Sequence, residues 1–189
     1  MDLMTEIESL NPIITPERRP LYPYLMSHKD LIESEMPPRK FITASWMPQD
    51  SIGMVFAPRG VGKTWFCMAL AVAISEGHKQ FLGWEIHEKH RVLYVDGEMA
   101  MAELKERFAS LSASPSNNLY ILPSELLYRD GNPICLDETE EQFAVDILLG
   151  QLSDEGRRPQ IIILDNLSTL RRHINENDNS EAQKLLDWL

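Results

Sequence analysis

Hydrophobic and polar positions follow two distinct rhythms along this chain. Residues 62–75 are apolar on nearly every side (Lys-Thr-Trp-Phe-Cys-Met-Ala-Leu-Ala-Val-Ala-Ile), the pattern of a helix buried against a sheet, and Gly77 ends it. The runs R-V-L-Y-V at 91–95 and Q-I-I-I-L at 160–164 read as strands, the second as one buried on both faces. Residues 100–111 carry the 3.6-residue period of a helix, 119–122 predict a short strand and 138–152 a further helix. Upstream, 41–46 and 51–56 are rich in β-branched and aromatic residues and predict two strands, with a turn at Met47-Pro48-Gln49-Asp50. Residues 178–189 read as an amphipathic helix with Ala182, Leu185, Leu186 and Leu189 on one side. Strands that alternate with helices place the chain in the α/β class, with a mainly parallel sheet.

The first forty residues differ in kind. Pro12, Pro16, Pro20, Pro23, Pro37 and Pro38 interrupt them, leaving one helical segment at 24–35 that Pro37-Pro38 ends. The expected organisation is an N-terminal arm, 1–38, ahead of a core, 39–189. A composition of 43% hydrophobic and 25% charged residues is that of an ordinary globular domain. The longest apolar run, 65–74, falls short of the ~18–20 residues that span a bilayer, and the N-terminus lacks a signal-peptide pattern. No membrane association is expected, and the cytoplasm is the expected location.

Cys67 and Cys135 form no C-x-x-C pair and lie in apolar surroundings, so reduced buried thiols are expected. His87 and His90 stand at a metal-compatible spacing without further ligands and read as a solvated loop. The net charge of −11 argues against a nucleic-acid footprint spread over the whole surface, though not against one confined to a few loops.

The chemistry begins at A-P-R-G-V-G-K-T, residues 57–64. A strand, a loop of small residues and a helix N-terminus in series surround a phosphate with backbone N–H groups and the positive end of a helix dipole. Ala57, Pro58, Arg59, Gly60, Val61, Gly62, Lys63, Thr64 and Trp65 are therefore the candidate nucleotide-binding residues. Gly60 and Gly62 allow positive φ, Lys63 reaches the β/γ-phosphates and the Thr64 hydroxyl can ligate Mg²⁺. Ala57 stands where the usual pattern has its first glycine.

Hydrolysis also needs a carboxylate at the magnesium ion and a second one that polarises the attacking water. Asp165, at the end of I-I-I-L-D, lies at the carboxyl end of a strand, where ligands bind in open α/β sheets, and is the candidate second Mg²⁺ ligand; capping of the following turn is its other reading. For the water-polarising role, Asp96 and Glu98 emerge together from V-L-Y-V-D-G-E-M. On the residues alone, both are candidates.

Residues 41–189 resemble the RecA-like AAA-type ATPases related to the plasmid replicative helicase RepA, found on plasmids, phages and integrative elements. The resemblance rests on A-P-R-G-V-G-K-T-W, F-L-G-W (81–84), V-L-Y-V-D-G-E-M, L-D-N-L-S-T-L and E-N-D (176–178). It implies a RecA-like P-loop NTPase fold and a homohexameric ATPase acting on single-stranded DNA, with MgATP between subunits and catalysis carried by Lys63, Glu98 and Asp165. In the AAA+ branch the second carboxylate directly follows the strand-end Asp; here that position is Asn166. The implied strand order, 5-1-4-3-2, puts a strand between 51–56 and 160–164, so that these two should run parallel about 9–10 Å apart. That strand, number 4, and strand 5, with the sensor and finger residues, are expected beyond Leu189, making the 189 residues a fragment or a truncated product.

A helicase-type motor is thus the leading expectation. A nucleotide-gated assembly or regulatory module with negligible turnover is the alternative, and a small-molecule kinase is disfavoured because no acceptor or lid pattern is present. Arg171-Arg172-His173 reads as a solvated loop rather than a DNA contact.

Overall fold

The computed structural model describes residues 21–171 and 185–189, and these divide into two units, one up to Pro38 and one from Arg39. The first holds a 3-10 turn, Tyr22–Tyr24, and one short helix, α1 (His28–Glu33). The helix is shorter than the expected 24–35 because Ser27 caps it: the Ser27 hydroxyl accepts from Asp30 N–H at 3.1 Å and the Asp30 carboxylate accepts from Ser27 N–H, which fixes the first turn at His28.

The second unit opens with two antiparallel strands, β1 (Phe41–Thr43) and β2 (Met47–Pro48). Helix α2 (Lys63–Glu76) follows, then a hairpin of β3 (Gln80–Phe81) and β4 (Trp84–Glu85). The remaining elements are β5 (Val92–Asp96), α3 (Met101–Leu111), β6 (Leu119–Pro123), α4 (Ser124–Arg129), α5 (Thr139–Asp154) and β7 (Ile161–Asp165). The fold is mixed α/β, and its main sheet is parallel and three-stranded in the order β6-β5-β7.

Strand β5 is central and buried along its length. Because successive side chains point to opposite faces, Val92 and Tyr94 pack with Met68, Ala71 and Ile74 of α2 and Leu104 and Phe108 of α3, whereas Leu93 and Val95 pack with Leu136, Val145, Leu170 and Leu185. Helix α2 ends where Gly77 adopts φ +76°, its N–H and that of His78 both reaching the Ala73 carbonyl, the αL cap that only glycine takes without strain.

Three expectations are corrected here. Residues 51–56 form no strand: their side chains are exposed, Phe56 to 91%. Strand-type composition measures fit to a half-buried pleated surface beside a neighbour, and no described strand pairs with this segment, so there is no strand pair with β7 to carry the expected spacing. The turn expected at 47–50 begins instead as strand β2, since Met47 and Pro48 pair with Thr43 and Phe41. Strand β7 is not buried on both faces; Ile162 is 38% exposed.

Strands β5 and β7 are adjacent, while β6, on the far side of β5, has no place in the expected five-strand order. The F-L-G-W stretch is the tight turn of the β3–β4 hairpin, with Leu82 at φ +48° and Gly83 at φ +90°. Trp84 of this hairpin lies tilted against Trp46 with ring centres 5.4 Å apart, and Phe81 lies edge-on to Phe66 at 5.3 Å. His90 is buried, unlike the solvated loop expected of it, and both cysteines are unpaired thiols. Most of 178–189 and the E-N-D stretch lie outside the described residues; of the expected apolar side, Leu185 is buried, whereas Leu186 and Leu189 are exposed. Among the described residues no helix is long and apolar enough to cross a membrane, and no group of three metal-ligating side chains is present.

Candidate nucleotide site

The loop before α2 takes its shape from two glycines. Gly60 and Gly62 adopt φ +82° and +94°, a region where a Cβ is strained, and Gly62 is the residue from which α2 starts, its carbonyl accepting from Phe66 N–H at 2.9 Å. Arg59 and Val61 are exposed on the rim. The Lys63 ammonium folds back across the loop and donates to the Ala57 carbonyl at 2.6 Å and to that of Pro58 at 2.9 Å. Trp65 is exposed and lies under the Arg107 guanidinium, whose carbon is 5.2 Å from the ring centre.

One residue further along α2 than Lys63, the Thr64 hydroxyl lies 3.4 Å from Asp165 Oδ1. These residues are far apart in sequence and meet because α2 packs on the β5–β7 face with its N-terminus at the carboxyl ends of the strands. Adjacent corners of an octahedron with metal–oxygen bonds of about 2.0–2.1 Å are about 3 Å apart, so these two hard oxygens stand a few tenths of an ångström wider than a pair of neighbouring Mg²⁺ ligands. The other carboxylate oxygen of Asp165 is occupied: it accepts the Tyr94 phenol at 2.5 Å. Burial first, and this hydrogen bond next, raise the Tyr94 pKa and keep the phenol a donor. Tyr94 thereby leaves Oδ1 as the oxygen that faces Thr64. The Cys67 thiol, one helical turn beyond Thr64, is pushed up to about 11 by burial, with the Asp165 charge adding to it, and stays a thiol at neutral pH.

Asp96 and Asp165 are register partners on β5 and β7, yet Asp96 is engaged differently. It is fully buried, and both its oxygens accept Met99 N–H, at 3.3 and 3.1 Å, with the Ser124 hydroxyl at 3.3 Å from Oδ2. Burial raises its pKa, opposed by these hydrogen bonds. Asp96 ties the end of β5 to the turn before α3 and to α4, whereas Glu98 is exposed and edges a groove of about 450 Å³ that Ser124, Glu125 and Tyr128 also line.

The turn after β7 packs against the turn that carries Glu98. Gly97 N–H donates to the Asp165 carbonyl at 2.8 Å, and a Cβ on Gly97 would stand 2.3 Å from the Thr169 hydroxyl and 3.0 Å from Leu170 Cγ, so only glycine fits. Asn166 Nδ2 donates to Glu98 Oε2 at 3.0 Å. Sequence reasoning missed Tyr94, Ser124 and this use of Asn166. Tyr94 could have been found from its place two residues before Asp96, on the same face of β5; Ser124 carried no such signal. Of the Arg171-Arg172-His173 cluster, Arg171 donates to Asp137 Oδ1 at 2.6 Å and is largely buried rather than solvated; the other two lie outside the described residues.

A family model described as "AAA domain" matches residues 17–189 of this chain. No curated protein matches it.

Proposed function

The chain belongs to the AAA domain family of P-loop ATPases, and from that premise we propose that it binds MgATP and hydrolyses it as part of a hexameric, RepA-like DNA helicase or replication motor of a plasmid, phage or integrative element. Residues 39–189 are the ATPase core and 1–38 an arm outside it. The observation that carries the chemical half of this reading is the approach of the Thr64 hydroxyl to Asp165 Oδ1 beside a glycine-shaped loop.

In this reading the backbone N–H groups at 60–64 and the N-terminus of α2 receive the phosphates. Lys63 gives up the Ala57 and Pro58 carbonyls for the β/γ-phosphate oxygens, exchanging neutral acceptors for charged ones. Thr64 and Asp165 would hold Mg²⁺, which would supply neutralising charge to the phosphates. Glu98 orients a water and takes its proton as the water oxygen bonds to the γ-phosphorus and the bond to the bridging β–γ oxygen breaks. Asp96, with both oxygens already accepting, serves as the structural anchor of the turn.

The motor reading is tested by ATP turnover with and without single-stranded DNA. Stimulation of severalfold or more is expected. Turnover indifferent to single strands would assign the chain instead to a nucleotide-gated switch.

A further inference from the structure

We propose that Asn166 is a positioning residue for Glu98, holding its carboxylate for the hydrolytic step through an amide that the following turn locks in one orientation. The inference rests on the reading that Glu98 polarises water. A side-chain amide has a donor end and an acceptor end, and which end faces a neighbour is fixed only by the other partners. For Asn166 those partners are decisive. Its Oδ1 accepts from Thr169 N–H at 3.0 Å, from the Thr169 hydroxyl at 3.2 Å and from the Ser168 hydroxyl. A backbone N–H can only donate, so the oxygen must face the turn and the nitrogen must face out. That nitrogen is the one that reaches Glu98 Oε2.

The turn that locks the amide is itself pressed against the Glu98 turn. The Thr169 hydroxyl, whose single proton is shared between Asn166 Oδ1 and the Asn166 carbonyl, 3.0 Å away, fills the space where a Cβ on Gly97 would stand, and Gly97 N–H is bound to the Asp165 carbonyl. Asn166 therefore joins the metal-binding and water-polarising carboxylates: it is the next residue after Asp165 and the hydrogen-bond donor to Glu98. One carboxylate oxygen of Glu98 is held by the amide, and the other is left for water. An otherwise exposed and rotamer-rich glutamate is in this way confined before substrate arrives.

The two halves of the amide can be separated. Asn166→Asp keeps an acceptor for Thr169 N–H but replaces the donor with a like charge. Asn166→Ser keeps a capping oxygen, is neutral and is too short to reach Glu98; it covers the case in which the aspartate disturbs folding. The full chain is assayed by single-turnover hydrolysis of MgATP and, separately, by MgATP binding. Both variants should bind MgATP within about twofold of the parent and hydrolyse it roughly 10-fold or more slowly. Introduced alongside Glu98→Gln, Asn166→Ser should cause no further loss, because residues acting through one another are non-additive. Parent-like hydrolysis by both variants, or losses that multiply with that of Glu98→Gln, would overturn the proposal and leave Asn166 as a turn cap alone. If Glu98→Gln hydrolyses MgATP as fast as the hydrolysing parent, the assignment of Glu98 falls and the positioning role falls with it.

Discussion

Glu98→Gln should lower ATP hydrolysis by about 10²-fold or more while leaving MgATP affinity nearly unchanged, because a general base contributes on that order and acts only as the transition state forms. The substitution is nearly isosteric and conserves a hydrogen-bonding partner for Asn166, so a folding defect is not expected at this exposed position. Its rival behaves differently. Asp96 is fully buried, and both its oxygens hold the Met99 N–H, so Asp96→Asn should show itself first as lost stability, a buried acceptor having been altered. Steady-state turnover, nucleotide titration and a denaturant midpoint on the two variants distinguish them. A silent Glu98→Gln beside a stable, hydrolysis-dead Asp96→Asn would transfer the role to Asp96.

Lys63→Ala should weaken MgATP binding or turnover at least tenfold. The ammonium is half-buried and spans the mouth of the loop on the Ala57 and Pro58 carbonyls. The bonds to the two carbonyls are charge-assisted on the donor side alone, and a phosphate oxygen supplies a charged acceptor as well, so an incoming phosphate displaces those carbonyls. Removing the side chain leaves the loop glycines, Thr64 and Asp165 in place but takes away the charge at the β/γ-phosphates. Isothermal titration of both proteins with MgATP checks this, and equal affinity together with equal turnover would remove the phosphate-binding role from the loop.

The buried half of this molecule was legible in its sequence because burial and periodicity speak together there. R-V-L-Y-V and I-I-I-L-D announce β5 and β7, the apolar run after Gly62 announces α2, and the glycine and lysine spacing fixes where the helix N-terminus meets the strand ends. Where a segment's fate depends on a neighbour rather than on itself, the pattern misleads. Residues 51–56 have the composition of a strand, but no described strand pairs with them, and their apolar side chains stand exposed. The two short hairpins depend on Ala44, Ser45, Leu82 and Gly83 turning within a few residues, and the positive φ of Ser45 and Leu82 is not something either residue type advertises. In the candidate site, the motif residues were visible in the sequence, whereas their hydrogen-bond partners were not. Tyr94 and Asn166 act through single hydrogen bonds that only the packing of β5 against β7 creates.

The central claim is that Thr64 and Asp165 complete a magnesium–nucleotide site on the Gly60–Gly62 loop. It is tested most directly by measuring ATP affinity of the parent chain and of Asp165→Asn with saturating Mg²⁺ and with the metal chelated. The parent should bind ATP at least tenfold more tightly with Mg²⁺ than without, and Asp165→Asn should lose most of that difference while keeping its metal-free affinity, since half of the protein's contribution to the metal has gone. ATP affinity that is undetectable in the parent, or that is the same with and without Mg²⁺ in both proteins, would contradict it.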